Sequence, residues 1–299
     1  MKFGVTIPNN WGIEDPQQVL EFGPLAEKLG FDSVWVMDHL FNTGFIRERL
    51  QDRPYYHPMS TLSYLAATTK RVLLGTSVLV LPYHNPVELA KYAATLDQIT
   101  GGRVTLGVGV GAMTEEFDAL GVSMRQRGSL TDESMDIMKE LWSSHQPRYQ
   151  SERWDFSELY FSPKPVQPTI PLWVGGSSPG AMKRTALRGD GWHPIGLSPE
   201  GFALGKQEIT DAATAAGRDP GKMEWSMRVE VEVHGGPSSN RAASRTTMPG
   251  DDPAMMVASI KAYQEAGVGH VVLALNSGDI SALKRLMESI ASEVLPEFR

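Results

Sequence analysis

Residues 74–111 read LGTSVLVLPYHNPVELAKYAATLDQITGGRVTLGVGVG and contain the pattern that decides the fold. A β-branched run leads into Asn85-Pro86, then into apolar residues at helical spacing, Gly101-Gly102 and a second β-branched run. An asparagine cap accepts hydrogen bonds from free N–H groups of the first helical turn, and proline at the first helical position loses no hydrogen bond. The stretch therefore predicts a strand–helix–strand unit.

The same unit recurs along the chain. A cap residue and proline begin four further helix patterns, at Asp15-Pro16, Ser178-Pro179, Ser198-Pro199 and Asp252-Pro253. Short apolar runs predict strands at Phe3–Ile7, Ser33–Met37, Val72–Leu81, Val104–Val110, Leu172–Val174, Gly191–Ile195, Met227–Val233 and Val271–Leu275. Apolar strands that alternate with helices indicate a parallel sheet covered by helices. An open doubly wound sheet is the alternative, but about eight units in 299 residues favour a single α/β domain, a (β/α)₈ TIM barrel over residues 1–299.

Two irregular stretches interrupt the repeating pattern. Residues 143–171 contain five prolines, which are incompatible with a regular helix or a central strand. Residues 234–251 are polar and contain glycine, and they follow the predicted seventh strand. Because loops after barrel strands lie on the functional face, we expect a mobile lid there.

Composition excludes several classes of function. The chain has no cysteine, which excludes disulfides, thiolate metal sites and cysteine nucleophiles, and no His/Asp/Glu cluster has convincing metal-ligand spacing. The net charge is −7 and basic residues form no stripe, so we expect no nucleic-acid partner. No apolar stretch approaches the roughly 20 residues that span a bilayer. With a strand-like run at Lys2–Ile7 in place of a signal sequence, we expect a cytoplasmic protein.

The seventh strand separates two kinds of side chain. Alternate residues from Trp225 to Val233 are apolar, whereas Arg228, Glu230 and Glu232 share the other face. Since the outer face of a barrel packs on helices, the charged residues should point inward near the mouth. An ion-pair network and a catalytic role both explain them.

Barrel enzymes assemble their active sites at the C-terminal ends of the strands. The second strand ends in Asp38-His39, and an imidazole there can exchange a proton with a ligand near neutral pH, although a structural histidine is the alternative. Aromatic residues nearby suggest a flat or apolar substrate, and they are Trp11, Phe41, Phe45, Tyr55 and Tyr56. Trp192-His193 closes the sixth strand and can face the cofactor or the substrate.

Two glycine-containing strand ends suggest room for a cofactor. Gly175-Gly176-Ser177-Ser178 precedes a helix whose free N–H groups can bind a phosphate, although an ordinary tight turn capped by Ser178 is the alternative. Gly107, Gly109 and Gly111 lack the third glycine and the acidic partner of a dinucleotide fingerprint. We interpret these three glycines as space for a flat ring.

Several segments together resemble the luciferase-like monooxygenase superfamily, in particular its branch of coenzyme F420-dependent oxidoreductases. They are VMDHL (36–40), LGTSVLVLPYHNP (74–86), ATLDQITGGRVTLGVGVG (94–111), PKPVQP (163–168), PLWVGGSSPGAMKRTALRGDGW (171–192) and AYQEAGVGHVVLAL (262–275). These segments extend over most of the chain, but not over the polar residues 234–251.

The resemblance implies roles for individual residues. His39 would be the proton partner and a cofactor contact, and Asp38 would contact the cofactor ring or orient a neighbouring residue. Ser77 and Val78 would form a non-proline cis peptide behind the ring, and Val80 would line the same ring.

The resemblance also assigns the tail of the cofactor. Gly175, Gly176, Ser177, Ser178, Gly180 and Ala181 match contacts on its phosphate side. Glu115 matches a cofactor contact, although capping of a short helix is an equal alternative, and His84 matches a position near the cofactor. The predicted substrate contacts are Trp11, Phe41, Phe45, Tyr56 and Trp192. His270, at the opposite end of the barrel, is expected to be structural, and the family implies a homodimer.

Two departures from the family pattern affect the predicted activity. Sugar-phosphate dehydrogenases of this branch have a tryptophan where this chain has Thr43 and a glutamate where it has Ala112. The sequence therefore predicts F420-dependent hydride transfer to or from a small apolar or aromatic molecule rather than a sugar phosphate. The alternatives are an FMN-dependent monooxygenase that uses reduced flavin and O₂, and a non-catalytic F420- or flavin-binding homologue.

Overall fold

The computed structural model describes residues 1–233 and 247–299. Its strands are β1 (Lys2–Thr6), β2 (Ser33–Val36), β3 (Leu73–Val80), β4 (Val104–Gly109), β5 (Tyr149–Gln150), β6 (Asp155–Phe156), β7 (Leu172–Gly175), β8 (Gly191–His193), β9 (Glu224–Glu232), β10 (Thr247–Pro249) and β11 (His270–Leu275). Eight strands pair in parallel in the order β11-β1-β2-β3-β4-β7-β8-β9, and β9 pairs with β11 to close the ring. The predicted (β/α)₈ barrel is confirmed.

Helices connect the barrel strands. They are α1 (Pro16–Leu20), α2 (Phe22–Leu29), α3 (Gly44–Leu50), α4 (Pro58–Thr68), α5 (Pro86–Thr100), α6 (Thr114–Ala119), α7 (Arg127–Ser143), α8 (Pro179–Arg188), α9 (Pro199–Ala215), α10 (Pro253–Glu265) and α11 (Ile280–Ser289). Short 3₁₀ turns lie at Leu81–Tyr83, Met124–Gln126, Pro220–Lys222 and Leu295–Phe298, and a π turn lies at Ile290–Val294. Within the described part of the chain, no helix is both long enough and apolar enough to cross a membrane.

All five predicted caps form. The cap side chains accept from the first-turn N–H groups of Gln17 (Asp15, 2.9 Å), Val87 (Asn85, 2.9 Å), Ala181 (Ser178, 3.3 Å), Gly201 (Ser198, 3.1 Å) and Met255 (Asp252, 2.9 Å). The predicted helix after Asp15-Pro16 is divided into α1 and α2 at Glu21, however. Pro24 explains the division, because proline has no N–H to donate within a helix and its ring crowds the carbonyl four residues earlier.

The inward and outward faces of β9 follow the predicted alternation. Met227, Val229 and Val231 are buried in the main hydrophobic core, whereas Arg228 and Glu230 line a cavity at the barrel mouth. The alternation of side chains therefore places charge inside the barrel and apolar surface against the helices.

The irregular segment 143–171 contains one short antiparallel pair, β5 with β6, and a cis peptide bond before Pro163. The expected lid at 234–251 lies largely outside the described residues. Its last part includes β10, which pairs in parallel with the C-terminal end of β9.

Aromatic rings fill the lower interior of the barrel. Trp35 stacks on Trp173 with ring centroids 5.2 Å apart, and on His193 at 5.1 Å. His270 meets Trp35 edge-on at 5.8 Å, and its Nε2 lies 2.7 Å from Ser33 Oγ. His270 therefore has the structural role that was predicted for it.

We expect Gly75→Ala to destabilise the protein strongly. A Cβ at this position would overlap the ring of Trp35, which is fully buried and packs against Trp173 and His193. Overpacking of a core of this kind costs about 1–3 kcal/mol. Chemical denaturation should show that loss, whereas Gly201→Ala in α9, where the new Cβ meets its neighbours at ordinary contact distances, should leave stability unchanged or improve it. Equal stability of the two variants would contradict the packing argument.

Candidate active site

A cavity of about 390 Å³ opens at the C-terminal ends of the barrel strands. Loop residues after β1, β2, β4, β7, β8 and β11 line it together with residues of β3, β4, β7 and β9. The lining includes the predicted residues Trp11, Asp38, His39, Phe45, Ser77, Val78, Val80, Gly175 and Gly176. The rule that barrel sites form at strand C-termini therefore locates this cavity correctly.

His39 is held in position by a carboxylate that the sequence analysis did not single out. Its Nδ1 lies 2.7 Å from Oε2 of Glu116, whose side chain is fully buried. The other Glu116 oxygen accepts from the backbone N–H groups of Leu40 (2.7 Å) and Phe41 (3.1 Å), and Tyr83 Oη donates to Oε2 at 2.9 Å. This network fixes the ring at the edge of the cavity.

The charge of Glu116 determines which imidazole nitrogen can react. Burial raises the pKa of Glu116, but the hydrogen bonds from His39, Leu40 and Phe41 outweigh burial and lower the pKa below its usual value. An ionised carboxylate only accepts hydrogen bonds, so Nδ1 of His39 carries a proton. Nε2 is therefore the nitrogen available to a ligand.

Glu115 does not lie in the site where the resemblance placed it. Glu115 is exposed and does not line this cavity, nor does it line the second cavity described below. Glu116, in contrast, is buried against His39. Successive helical residues point about 100° apart, and α6 turns Glu116 inward and Glu115 toward solvent. The sequence shows two adjacent glutamates, and nothing in it distinguishes the buried one from the exposed one.

Asp38 joins the second and third strands at the cavity. Its Oδ2 accepts from the N–H of Val80 at 2.9 Å and lies 2.8 Å from His84 Nε2. His84 therefore contacts the Asp38 carboxylate but does not line the cavity. The other oxygen, Oδ1, is buried without a hydrogen-bond partner.

The floor of the cavity is a bulge in β3. The Ser77–Val78 peptide bond is cis, as the resemblance implied, and the pairing of β3 with β4 shifts register between Thr76 and Leu79. Val78 Cγ2 would lie 2.7 Å from a Cβ at Gly109. Val78 thus forms a ledge that projects into the cavity.

Gly109 and Gly111 line the cavity, and the glycines of β4 and of the loop after it also make room for the bulged strand β3. A Cβ at Gly107 would overlap the carbonyl oxygen of Thr76, and one at Gly111 would lie 2.6 Å from Val80 Cγ1. The missing side chains are thus replaced by the bulged β3 strand itself. These glycines allow the ledge to form, and the ledge shapes the cavity.

A second cavity of about 710 Å³ adjoins the first and shares Val110, Gly175 and Gly176 with it. Its lining contains three arginines, which are Arg125, Arg127 and Arg184. It also contains the N-terminal region of α8, with Ser178, Gly180 and Ala181. Ser177, which was predicted to contact the phosphate, is exposed and is not part of this lining. The lining suits an anionic group connected to whatever occupies the first cavity.

The N-terminus of α8 is capped by Ser178 as predicted. Ser178 Oγ accepts from the N–H of Ala181, which is the capping role, and Pro179 has no N–H. Among the residues that begin α8, this leaves the N–H of Gly180 available to an anion. Arg184 is held by Asp132 at 2.6 Å and by the carbonyl of Gly128 at 3.0 Å, which orients its guanidinium beside the cavity.

Only some of the aromatic residues predicted to contact substrate line the cavity. Trp11 and Phe45 line the cavity, but Phe41 is 47% exposed and Tyr56 directs its hydroxyl to the carbonyls of Ile13 and Glu14, both at 2.8 Å. Tyr55 faces the cavity where Tyr56 was predicted, with its ring 5.8 Å from that of His39. In a loop of this kind the alternation of side chains is not regular, and sequence could not choose between neighbours.

Trp192 was also predicted to contact substrate, but it does not line the cavity. It is fully buried outside the barrel, where it stacks on Phe202 at 5.0 Å and donates to the carbonyl of Gly176 at 2.8 Å. The next residue, His193, points inward instead, with Nε2 2.9 Å from Ser77 Oγ and Nδ1 2.8 Å from Ser226 Oγ. Strand alternation required that only one of the pair face inward.

Polar atoms without partners surround the first cavity. Asn10 Oδ1, Trp11 Nε1, Asp38 Oδ1, Arg49 Nε and Tyr55 Oη are buried without a hydrogen-bond partner. Buried polar groups are otherwise almost always paired. These atoms therefore fit a bound group that has both donors and acceptors, such as the ring system of a flavin or deazaflavin with its substrate.

Within residues 1–233 and 247–299, no group of three or more His, Asp or Glu side chains is arranged to hold a metal ion.

A family model described as luciferase-like monooxygenase matches residues 1–271 of this sequence. The chain belongs to the luciferase-like monooxygenase family. The His39–Glu116 pair and the Val78 ledge are thus features of a luciferase-like barrel.

Two curated proteins that are similar to this luciferase-like chain are F420-dependent glucose-6-phosphate dehydrogenases. The one from Kineococcus radiotolerans is 27% identical over 327 residues, covering 95% of this chain and 94% of that protein. The one from Microbacterium testaceum is 30% identical over 261 residues, covering 81% and 73%.

Solved structures share the luciferase-like fold over the full chain. The monooxygenase RslO1 from Streptomyces bottropensis has a TM-score of 0.81 at 21% identity, with 100% of both chains covered. An F420-dependent secondary alcohol dehydrogenase, in complex with an F420–acetone adduct, has a TM-score of 0.81 at 22% identity, with 100% and 99% covered. At these identities the likeness concerns the fold.

Proposed function

We propose that this chain is a coenzyme F420-dependent oxidoreductase whose substrate is a small apolar or aromatic organic molecule. The observation that carries the proposal is the position of His39, held by Glu116 at the edge of a cavity that continues into an arginine-lined cavity. The F420-dependent relatives support the choice of cofactor.

In this proposal the first cavity binds the ring of the cofactor and the second cavity binds its anionic tail. The Val78 ledge and Val80 provide an apolar surface for a flat ring, and Asp38 Oδ1 offers a buried acceptor beside it. Arg125 and Arg127 at the second cavity provide positive charge for an anionic tail. When bound there, coenzyme F420 supplies a hydride donor or acceptor, and the protein supplies orientation and proton transfer.

His39 is the proposed proton partner. Glu116 fixes the tautomer and the plane of the ring, so Nε2 gives or takes the proton of a substrate oxygen or nitrogen in the cavity. Trp11, Phe45 and Tyr55 line the cavity with aromatic surface.

The proposed substrate is not a sugar phosphate. Ala112 lines the cavity where related sugar-phosphate dehydrogenases have a glutamate, according to the resemblance. A methyl group can neither donate nor accept a proton. We therefore retain an apolar or aromatic substrate, although the similar curated proteins act on glucose 6-phosphate according to their names.

Turnover tests the proposed activity. Reduced F420 should be oxidised by the protein with at least one member of a panel of carbonyl, enone and nitro compounds, followed by the absorbance of the oxidised deazaflavin. Binding of F420 without turnover on any member would contradict the proposed activity and favour the non-catalytic homologue. The proposal also includes a homodimer, which sedimentation of the purified protein would test, and a cytoplasmic location, which fractionation of cells would test.

We expect Arg127→Ala to weaken F420 binding about threefold to tenfold, which corresponds to up to about 1.4 kcal/mol. Arg127 lines the second cavity, and its charge should attract the anionic tail in a salt-dependent manner. Titration of F420 at low and high salt would measure the loss. The matched control, Arg285→Ala on α11, removes an equal charge from an exposed position outside the cavity and should leave the affinity unchanged. Equal losses in both variants would contradict a local role for Arg127.

A further inference from the structure

The barrel order separates the two sides of the first cavity. In the ring β11-β1-β2-β3-β4-β7-β8-β9, β1 and β7 stand four strands apart and are therefore opposite. Gly175 ends β7 and Gly176 follows it, on the side that leads to the second cavity. Asn10 and Trp11 follow β1 and belong to the far side, where a substrate would meet the ring.

The far side has hydrogen-bond donors that the protein does not use. Trp11 Nε1, Arg49 Nε and Tyr55 Oη are buried without a partner, and all three residues line the cavity. The guanidinium of Arg49 lies 4.3 Å from the ring centroid of Trp11, so the two side chains are adjacent. Burial raises the pKa of Tyr55 well above its usual value, Asp38 raises it further, and the charge of Arg49 opposes the rise. The phenol therefore remains protonated and donates.

Arg49 also lacks a charge partner. Its Nη2 donates to the neutral carbonyl of Asn10 at 2.9 Å. In the two described stretches, 1–233 and 247–299, no carboxylate lies within 4 Å of its guanidinium. Burial lowers the pKa of Arg49, and the more distant charge of Glu230 offsets this only in part. A half-buried guanidinium beside a cavity is stabilised by an anion that brings its own negative charge.

We propose that Trp11 Nε1, Arg49 Nε and Tyr55 Oη form a subsite for a carboxylate group on an otherwise flat, apolar substrate. A carboxylate is ionised at neutral pH and accepts at both oxygens, and it matches these three donors. The amide of Asn10 can turn its nitrogen toward the same group, because its two orientations are nearly isosteric. The inference rests on the proposed function, since it names the class of molecule that the same cavity would convert.

Benzoate and benzamide test the subsite without any cofactor. They share a flat ring and differ in the charge of the polar group, so calorimetric titration of the full-length protein isolates recognition of the carboxylate. We expect benzoate to bind at least tenfold more tightly than benzamide. Arg49→Met should remove that preference, whereas Arg47→Met, an exposed arginine on the same helix α3, should retain it.

Tyr55→Phe is a second variant that tests the subsite without disturbing the fold. It removes only a hydroxyl that has no partner in the protein, so the melting temperature should not change, and benzoate affinity should fall about threefold to tenfold. Absence of benzoate binding up to its solubility limit, equal affinity for benzamide, or a preference that survives Arg49→Met would overturn the proposal. F420 titration of the same samples separates the two ideas: F420 binding without a carboxylate preference contradicts only the subsite, and the reverse result contradicts only the proposed cofactor.

Discussion

Replacement of His39 by alanine is expected to lower kcat of the F420-dependent reaction by about 10²–10⁴-fold, the usual contribution of a positioned general acid or base. Affinity for F420 should change less than threefold, because the apolar ledge and the arginine-lined cavity that hold the cofactor remain intact. Steady-state kinetics on the best substrate, together with F420 titration of the variant, would measure both quantities.

His145→Ala is the matched control for this prediction. His145 is exposed in the segment after α7 and lines neither cavity, so its loss should leave kcat unchanged. Full turnover by His39→Ala would remove His39 from the mechanism. A large loss of F420 affinity with little change in kcat would instead assign it to cofactor binding.

The second large effect is a loss of stability in mild acid. Burial, with the positive charge of Arg228 and the neighbouring His270, lowers the pKa of His193 to about 3. Burial, with the charge of Lys2, lowers the pKa of His270 to about 3 as well. In the unfolded chain both titrate near 6.5, so the unfolded state binds protons that the folded state does not as the pH falls below that value. Between pH 7 and pH 5 each histidine should cost about 2 kcal/mol, and the two together about 4 kcal/mol.

Urea denaturation at pH 7, 6 and 5 would measure this loss before most carboxylates begin to titrate. His193→Gln and His270→Gln should each remove about half of the difference between pH 7 and pH 5, whatever their effect on stability at pH 7. The comparison uses a slope, so a destabilised variant remains informative. A wild-type loss below about 1 kcal/mol, or unchanged slopes in both variants, would contradict the assignment.

The barrel was predictable because its signals are local. Each cap-and-proline pair determines where a helix begins through contacts within three residues, and each apolar run needs only a parallel neighbour. Strand bounds were correct to within a few residues, from Lys2–Thr6 at the start to His270–Leu275 at the end. The division of the first helix was missed because Pro24 sits inside an otherwise regular apolar pattern.

The errors in the site have a common cause. The choices of Tyr56 over Tyr55, Glu115 over Glu116 and Trp192 as an inward residue each differ by one position from the residue that faces the cavity or the barrel interior. One position reverses the direction of a side chain in a strand and turns it by about 100° in a helix. Within β8 the alternation predicts that one of the two residues faces inward, but not which one. In the loop after β2 and in the six-residue helix α6 there was no long pattern to set direction.

The network behind His39 was not predictable from sequence. Glu116 lies 77 positions from His39, and Tyr83 lies on a third element, so their meeting depends on the closure of the barrel. The role of Gly107 and Gly109 was likewise hidden, because it depends on a register shift in the neighbouring strand β3. Sequence thus identified where the site is, and the folded chain determined what supports it.

Parallel titration of the purified protein with coenzyme F420 and with FMN, followed by the fluorescence of each cofactor, tests the central claim most directly. We expect saturable binding of F420 that weakens in Arg127→Ala, and no comparable binding of FMN. Tight binding of FMN without binding of F420 would contradict the proposed F420-dependent oxidoreductase and identify the chain as a flavin-dependent monooxygenase instead.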